Sequence, residues 1–439
     1  MLSDDAGFSV KELQAKGILL VEDGNHGESR PRPSEFDPDG EVAFIRASDM
    51  ADGRVRFPTA DRINSIARNR ITKGIGKPGD ILFSHKGTVG KLALIPPDAP
   101  PFVCSPQTTF WRTLDDEVLD RRFLYAFMRS RLFREQWRSR KGETDMADYV
   151  SLTAQRGFRV PLPSIGDQRA IGDMIGPIDQ REVVNAEYGA LLHLFAERLF
   201  RAWFVDFEPL PDDASVANGS SPIGAVRKLL PVDWDESKVG DIPKGWTLAP
   251  LDEIAMFHNG AAMQKYPPTG ANSLPVLKIA QLRDGRLDNA DRASPDLPPD
   301  LLINNGDVVF SWSGTLLVRI WTGGRAALNQ HLFKVTSEKF PRWFFYFWTR
   351  AHLPEFQAVA ADKKTTMGHI KRHHLSDAVV VVPSPDVMEA ADNVFDPLLE
   401  RMVASELHSQ HLDALREVLL RSVLRHDQDL DGLSQETSR

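Results

Sequence analysis

The 439 residues contain one cysteine, Cys104. With no second thiol in the chain, neither a disulfide framework nor a Cys-based zinc site can form. No apolar run approaches the roughly 18 residues that a membrane helix requires. The opening Met1-Leu2-Ser3-Asp4-Asp5 is acidic where a secretory signal would be basic. The expected location is the cytoplasm, with no membrane partner. Catalytic signatures are missing as well. Gly87-Thr88-Val89-Gly90-Lys91 comes near a phosphate loop, but the Walker spacing needs Gly where His85 stands and Ser or Thr where Leu92 stands. His369, His373 and His374 include one spacing suited to a metal pair, yet no third ligand or HExxH-type arrangement accompanies them. Lys371 and Arg372 lie between them, which favours a polyanion contact or a solvated basic turn over a metal. No Asn-Pro-Pro-aromatic or Asp-Pro-Pro-aromatic tetrapeptide, the mark of amino-methyltransferases, is present. The Pro-Pro-Asp runs at Pro96 and Pro298 have no aromatic after them.

The formal charge of −8 argues against indiscriminate polyanion binding, but its distribution is uneven. Asp52 to Lys91 holds nine Lys and Arg against three acids, a balance of +6. Arg121 to Lys141 holds eight basic residues against Glu135 alone, a balance of +7. Acids collect from Asp206 to Asp241 and in the tail from Asp427 to Glu436. A basic face on a mildly acidic protein fits a polyanion bound in one place and excluded elsewhere. The alternative is a set of solvated helix faces whose counter-charges come from neighbours in the fold.

What the chain does contain, it contains twice. Gly79-Asp80-Ile81-Leu82-Phe83-Ser84-His85-Lys86-Gly87-Thr88 returns as Gly306-Asp307-Val308-Val309-Phe310-Ser311-Trp312-Ser313-Gly314-Thr315. Further on the copies keep an offset of 220 residues, as in Phe123 and Trp343, Pro177 and Pro397, Leu192 and Leu412. One repeat of this length is a duplicated domain, since solenoid units run about 20 to 50 residues. Short β-like runs open each half: Ile18–Val21, Val42–Ile45, Ile81–Phe83 and Leu92–Ile95, then Val276–Ile279, Val308–Phe310 and Leu317–Ile320. Gly87 and Gly314 permit the tight returns that hairpins need. Aromatic helical runs follow, Phe123–Met128 and Trp343–Trp348. Each half is therefore a compact α/β or α+β domain.

Beyond Pro163 the spacing changes to Tyr188, Leu192, Phe195, Leu199 and Ala202, an a/d seam of a coiled coil. The second copy repeats it at His408, Leu412, Leu415, Leu419 and Ser422. Two such helices bury their seams most simply against each other, antiparallel if the halves are equivalent. About 28 residues at 1.5 Å per residue make a rod of roughly 40 Å. Ordinary core helices in two separate domains are the alternative. The boundaries read as domain 1 over 1–163, helix 164–207, linker 208–240, domain 2 over 241–383, helix 384–426 and a flexible tail 427–439.

Basic and polar residues carried on loops remain as candidate DNA contacts, and most such contacts hold phosphates. In the first half these are Arg54, Arg56, Arg62, Arg68, Arg70, Lys73, His85, Lys86, Arg138, Arg140 and Lys141. In the second they are Lys363, Lys364, Thr365, Thr366, His369, Lys371, Arg372 and His373.

In order and in duplication, these segments resemble the specificity subunits of type I restriction-modification systems. The resemblance rests on the two Gly-Asp-hydrophobic-Phe-Ser segments and on Thr144–Leu152 leading to Val160-Pro161-Leu162-Pro163. Asp167-Gln168-Arg169, Leu199–Phe207 and Ile242-Pro243-Lys244-Gly245-Trp246 also carry it. It implies two target-recognition domains separated by paired antiparallel helices, each domain reading half of a split DNA sequence, roughly one duplex turn apart. It further implies docking of two methyltransferase subunits on the helices and attachment of a motor-nuclease subunit. No cofactor is expected in this chain; S-adenosylmethionine, ATP and magnesium would sit on those partners. A noncatalytic recognition subunit of this kind binds double-stranded DNA. Its rivals are a single-chain restriction-methylation enzyme and a standalone DNA-binding regulator or coiled-coil scaffold.

Some positions depart from the duplication. The first half lacks the Ile-Pro-x-Gly-Trp opening, so its first strand is expected to pair differently. His85 and Lys86 become Trp312 and Ser313, and Asn25-His26-Gly27-Glu28 has no counterpart near Asn259-Gly260. Unlike loops on a shared frame imply an asymmetric bipartite target. Gln107 and Gln330, matched at an offset of 223, read as structural.

Overall fold

The computed structural model describes residues 7–51, 53–140, 142–144, 147–208, 221–269, 272–361 and 368–436. The chain divides into two compact units, Met1–Ala186 with Ser409–Arg439, and Glu187–His408. The divisions fall inside the two long helices, Ile165–Phe200 and Pro385–Glu436.

In the first unit, Leu19–Asp23, Thr108–Thr113, Ile81–Ser84 and Leu92–Leu94 form a four-stranded antiparallel sheet in that order. Gly87 and Gly90, at φ 79 and 103, allow the return from Ile81–Ser84 to Leu92–Leu94. A smaller sheet pairs Val42–Ile45 in parallel with Phe102–Cys104. The helix Arg121–Arg129 starts at Asp120, whose carboxylate accepts from the Arg122 and Phe123 amides. Its apolar face meets the sheet around Phe133, which packs edge-on against Phe83, Trp111, Phe127 and Phe158 at 5.4 to 5.8 Å.

The second unit repeats the frame. Met256–Asn259, Leu332–Thr336, Val308–Ser311 and Leu317–Ile320 form its four-stranded sheet, and Leu274–Leu277 runs parallel to Ala326–Leu328. The opening strands also correspond, contrary to expectation. Phe8–Ser9 pairs with Arg159–Val160 and Thr247–Pro250 with Val379–Val382, both antiparallel, Phe8 opposite Val160 and Ala249 opposite Val380. Backbone pairing does not need the missing Ile-Pro-x-Gly-Trp side chains. The stretch read as a linker contains the helix Pro222–Leu229 and a hairpin of Trp234–Ser237 with Gly240–Pro243. The last helix runs on through the expected tail to Glu436.

Within each unit the two long helices run antiparallel. In the first, Asn185 donates to Ser409 Oγ at 2.8 Å, while Asp179, earlier in its helix, meets Arg416, later in the other. In the second, Gly189 lies against Ser405 and Phe200 against Phe395. The seam is not the expected one. Tyr188, Phe195 and Leu415 are 44%, 47% and 47% exposed. Leu192, Leu412 and Leu419 are half-buried, and Leu199 is buried. The buried stripe runs one residue later, through Ala196, Phe200 and Trp203 and through Arg416 and Leu420. Apolar residues occupy neighbouring stripes of these helices, as at Leu191, Leu192, Leu194 and Phe195, so periodicity does not choose between them. Close approach chooses: small residues at Gly189, Ser405 and Ser409 let the backbones meet.

The repeated Gly-Asp segments carry the frame's ion pairs. Asp80, 1% exposed in its side chain, binds the Arg112 guanidinium through both oxygens at 2.7 Å. Asp307 meets Lys334 at 3.1 Å with 25% of its side chain exposed. Asp80→Ala leaves a mostly buried guanidinium unpaired and is expected to cost about 3 kcal/mol. Asp307→Ala is expected to cost on the order of 1 kcal/mol. Urea unfolding of the two variants checks the contrast.

Candidate nucleic-acid interface

Antiparallel pairing gathers loops at one end of each sheet. In the first unit, Thr109 stands opposite both Asp23 and Phe83, so the segments after Asp23 and Ser84 and the turn before Thr108 share an edge. Gly24 lies so close to Cys104 that a Cβ there would sit 2.0 Å from the Cys104 carbonyl oxygen. Asn25 follows, and its side-chain oxygen accepts from the Thr72 and Lys73 amides at 3.0 and 2.8 Å. Lys73 is thereby anchored by its backbone while its side chain stays exposed. The tip of the hairpin is tied to the segment 148–150, with Gly87 N–H donating to Asp148 O at 2.9 Å and Val150 N–H to His85 O at 2.8 Å. Lys86 is exposed with its ammonium 5.8 Å from the Tyr149 ring. Trp137 packs over Gly90, where a Cβ would lie 2.6 Å from its ring. Arg138 and Arg140 are exposed at the end of the helix Arg131–Ser139, over the rings of Trp137 and Phe158 at 5.5 Å each. Lys73, Lys86, Arg138 and Arg140 are thus exposed cations on segments tied to the sheet edge and its neighbouring helix.

Other proposed contacts lie elsewhere. His85 is 1% exposed, its Nδ1 is 3.2 Å from Val150 O and its ring tilts against Tyr149. Burial pushes its pKa below the ordinary histidine value. A neutral buried ring does not hold a phosphate, so His85 leaves the set. Arg70 is spent inside the fold: its guanidinium pairs with Glu35 and donates to Arg30 O at 3.2 Å. That hydrogen-bonded pairing holds Glu35 at about 2. Arg62 donates to Gly40 O at 3.0 Å. Arg68 is half-buried in the last turn of the helix Ser65–Arg70. Arg54 and Arg56 are exposed beside the outer strand Leu92–Leu94, where Leu94 N–H donates to Gly53 O at 3.2 Å. Lys141, Lys363, Lys364, Thr365 and Thr366 lie outside the described residues.

The same edge of the second unit is built alike and furnished differently. A Cβ at Gly260 would sit 2.1 Å from Asn329 O, so Gly260 takes the place of Gly24, although Ala261-Ala262 follows it where Asn25-His26 follows Gly24. His85 N–H donates to Gln107 O at 3.0 Å, and Trp312 N–H donates to His331 O at 3.4 Å. Thr108 faces Ser84 as Leu332 faces Ser311, so the true offset here is 224 and Gln107 corresponds to His331, not Gln330. Gln107 and Gln330 are both exposed, which places them at the rim and not in the structural role expected of them. Trp312 packs between His331, Phe333 and His369 at 5.8 to 6.2 Å. Ser313 Oγ and His331 Nδ1 are 3.0 Å apart. Lys371 and His373 are exposed on the neighbouring turn. Arg372 donates to Phe257 O at 3.3 Å and lines a cleft of about 520 Å³ with Asp252, His258, Asn259 and Asp300. The edge residues not proposed as contacts from the sequence are Asn25, Gln107, Tyr149, Gln330 and His331, Gln107 and Gln330 having been read as structural. Their one signal is position beside the repeated strands, which becomes visible only once register is known. Among the described residues, no group of three His, Cys, Asp or Glu side chains could hold a metal, and no helix is long and apolar enough to cross a membrane.

No family model matches the chain. The MjaIX type I restriction enzyme specificity subunit of Methanocaldococcus jannaschii is 23% identical over 398 residues, 87% of this chain and 85% of that protein. The HindI specificity subunit of Haemophilus influenzae is 18% identical over 91% of this chain and 97% of its own length. The crystal structure of the type I restriction-modification S subunit from M. genitalium matches with a TM-score of 0.50 at 13% identity, covering 96% of this chain and 97% of that one. The chain carries the type I specificity-subunit fold. Within that fold the two sheet edges are equivalent places with unlike side chains.

Arg138→Ala with Arg140→Ala is expected to reduce the slope of log affinity against log salt by about 1 to 2, since each phosphate contact contributes about 0.9. Arg70→Ala is expected to leave that slope unchanged and lower the melting temperature. Fluorescence-anisotropy titrations across salt concentrations, with melting curves, separate the two.

Proposed function

We propose that this chain is the noncatalytic DNA-recognition subunit of a type I restriction-modification complex, and that each unit reads one half of an asymmetric, bipartite double-stranded target. The observation that carries the reading is one frame with two unlike rims. Strand order, hairpin returns and glycine approaches repeat, while His85, Lys86 and Gln107 at the first edge give way to Trp312, Ser313 and His331 at the second. Cations beside the first rim suit phosphates, and carboxamide and imidazole groups suit base edges. Fold alone does not fix function, so the weight rests on these sites together with sequence similarity along the chain.

Partner docking fits the outward faces of the long helices. Leu191, Leu194 and Phe195 are 65%, 47% and 47% exposed in the second unit, and Leu415 and Val418 are 47% and 64% exposed in the first. Contiguous exposed apolar side chains of this kind mark protein interfaces. In this reading they receive two methyltransferase subunits, with a motor-nuclease subunit joining the assembly. S-adenosylmethionine, ATP and magnesium are held by those partners, and the complex works in the cytoplasm.

Exchanging residues 1–160 for another recognition domain, followed by mapping of methylated bases in the host genome, is expected to change one half-site and leave the other intact. A change in both halves overturns the modular reading. Labelled S-adenosylmethionine supplied to the isolated chain is expected to leave DNA unlabelled, and copurified methyltransferase is expected to restore labelling.

A further inference from the structure

The first unit buries a charge cluster for which the second has no equivalent. Arg416 is 2% exposed; its Nη1 lies 2.7 Å from Glu182 and 3.3 Å from Asp179, and its Nη2 pairs with Asp413. Arg129 completes the group, its two terminal nitrogens each 2.6 Å from Asp179 and Glu182. At the repeat offset of 220, Arg416 corresponds to Ala196, Asp179 to Leu399, Glu182 to Met402 and Arg129 to Thr349. Those four belong to the core of the second unit: Ala196, Leu399 and Thr349 are fully buried, and Met402 packs against them. Thr349 satisfies its hydroxyl on Phe345 O.

At other places the buried stripes of the two helices are apolar in both copies. Leu199 and Phe200 are matched by Leu419 and Leu420, and the chain has a repeated surface that a second copy could also fill. The pairs Asn185–Ser409 and Gly189–Ser405 share one antiparallel register. Subtracting the offset gives the alternatives. If the first long helix paired with that of a second copy, Asp179 and Glu182 would face Ala196 with only Arg129 to balance them. If the last helix paired with its own copy, Arg416 would face Leu399 and Met402. Both alternatives leave buried charge without its partner, and that is the costly way to break such a group.

We propose that the cluster of Arg129, Asp179, Glu182 and Arg416 makes the first long helix pair with the last and prevents either helix from pairing with the same helix of a second copy of the chain. A buried polar group that sets partner choice has the same logic in coiled coils. The apolar counterparts in the second unit hold the helices together there, and the charged set decides which helices meet.

The reporter is the full chain carrying Asn185→Cys and Ser409→Cys, two side chains in direct contact. Cys104 is buried and its thiol pKa is pushed up by burial, so it does not compete for reagent. Treated with a short bismaleimide, the reporter is expected to crosslink within one chain and run as a monomer on a denaturing gel. Adding Arg129→Thr, Asp179→Leu, Glu182→Met and Arg416→Ala gives the first unit the apolar set of the second. In an exchanged dimer each Cys then meets its own copy about one helical turn, roughly 6 Å, out of register. The crosslinked-dimer fraction is expected to rise at least fivefold at equal protein concentration. A dimer fraction within twofold of the reporter alone, in a variant that melts cooperatively, overturns the proposal. If the fourfold variant does not fold, Asp179→Leu with Arg416→Ala removes one carboxylate and its guanidinium, and the same two outcomes decide.

Discussion

Each unit depends on the packing of helical segments drawn from opposite halves of the chain. The first unit takes Leu420 into the core built by Phe123, Phe127 and Ile175. The second takes Phe200, Trp203 and Phe204 into the core built by Trp343, Phe347 and Phe395, with Trp343 stacked on Phe395 at 4.6 Å. Neither core is complete without these distant residues, so both form through contacts of long sequence separation, which carry a high loop-closure cost and slow folding. The last helix has to be made before the first unit can close.

That dependence explains where the duplication is strict and where it is loose. Residues that hold the sheets recur: the carboxylates Asp80 and Asp307 pair with cations on adjacent strands, and glycines 24 and 260 sit where no Cβ fits. Exposed residues at the sheet edges, such as Lys73 and Lys86, do not recur. An arginine in such a protein can belong to either class. Arg112 and Arg70 are part of the frame, held by Asp80 and Glu35, whereas Arg138 and Arg140 project from it. Charge counting along the chain treats all four alike.

The strands Val42–Ile45 and Leu317–Ile320 and the aromatic helices were legible because hydrophobic patterning and turn residues act locally. The helical seam was legible only to within one residue, since adjacent apolar stripes have nearly the same period and differ in which one another helix can approach. His85 looked like a loop cation because its sequence neighbours are Ser84 and Lys86. Its burial comes from Tyr149 and Val150, about 65 residues away. Gln107 and Gln330 matched by letter, but sheet register pairs Gln107 with His331.

The amino-acid sequence by itself determined that the chain is a duplicated α/β protein with two long helices and unlike loops, because period, turns and repetition are properties of neighbouring residues. Only the tertiary structure decided which face of each helix is buried, which cations are exposed at the rims, and that Arg129, Asp179, Glu182, Asp413 and Arg416 form one buried cluster. Those outcomes depend on distances between residues 50 to more than 200 positions apart along the chain, as between Arg129 and Asp179 and between Asp179 and Arg416. A one-dimensional pattern carries no such distance.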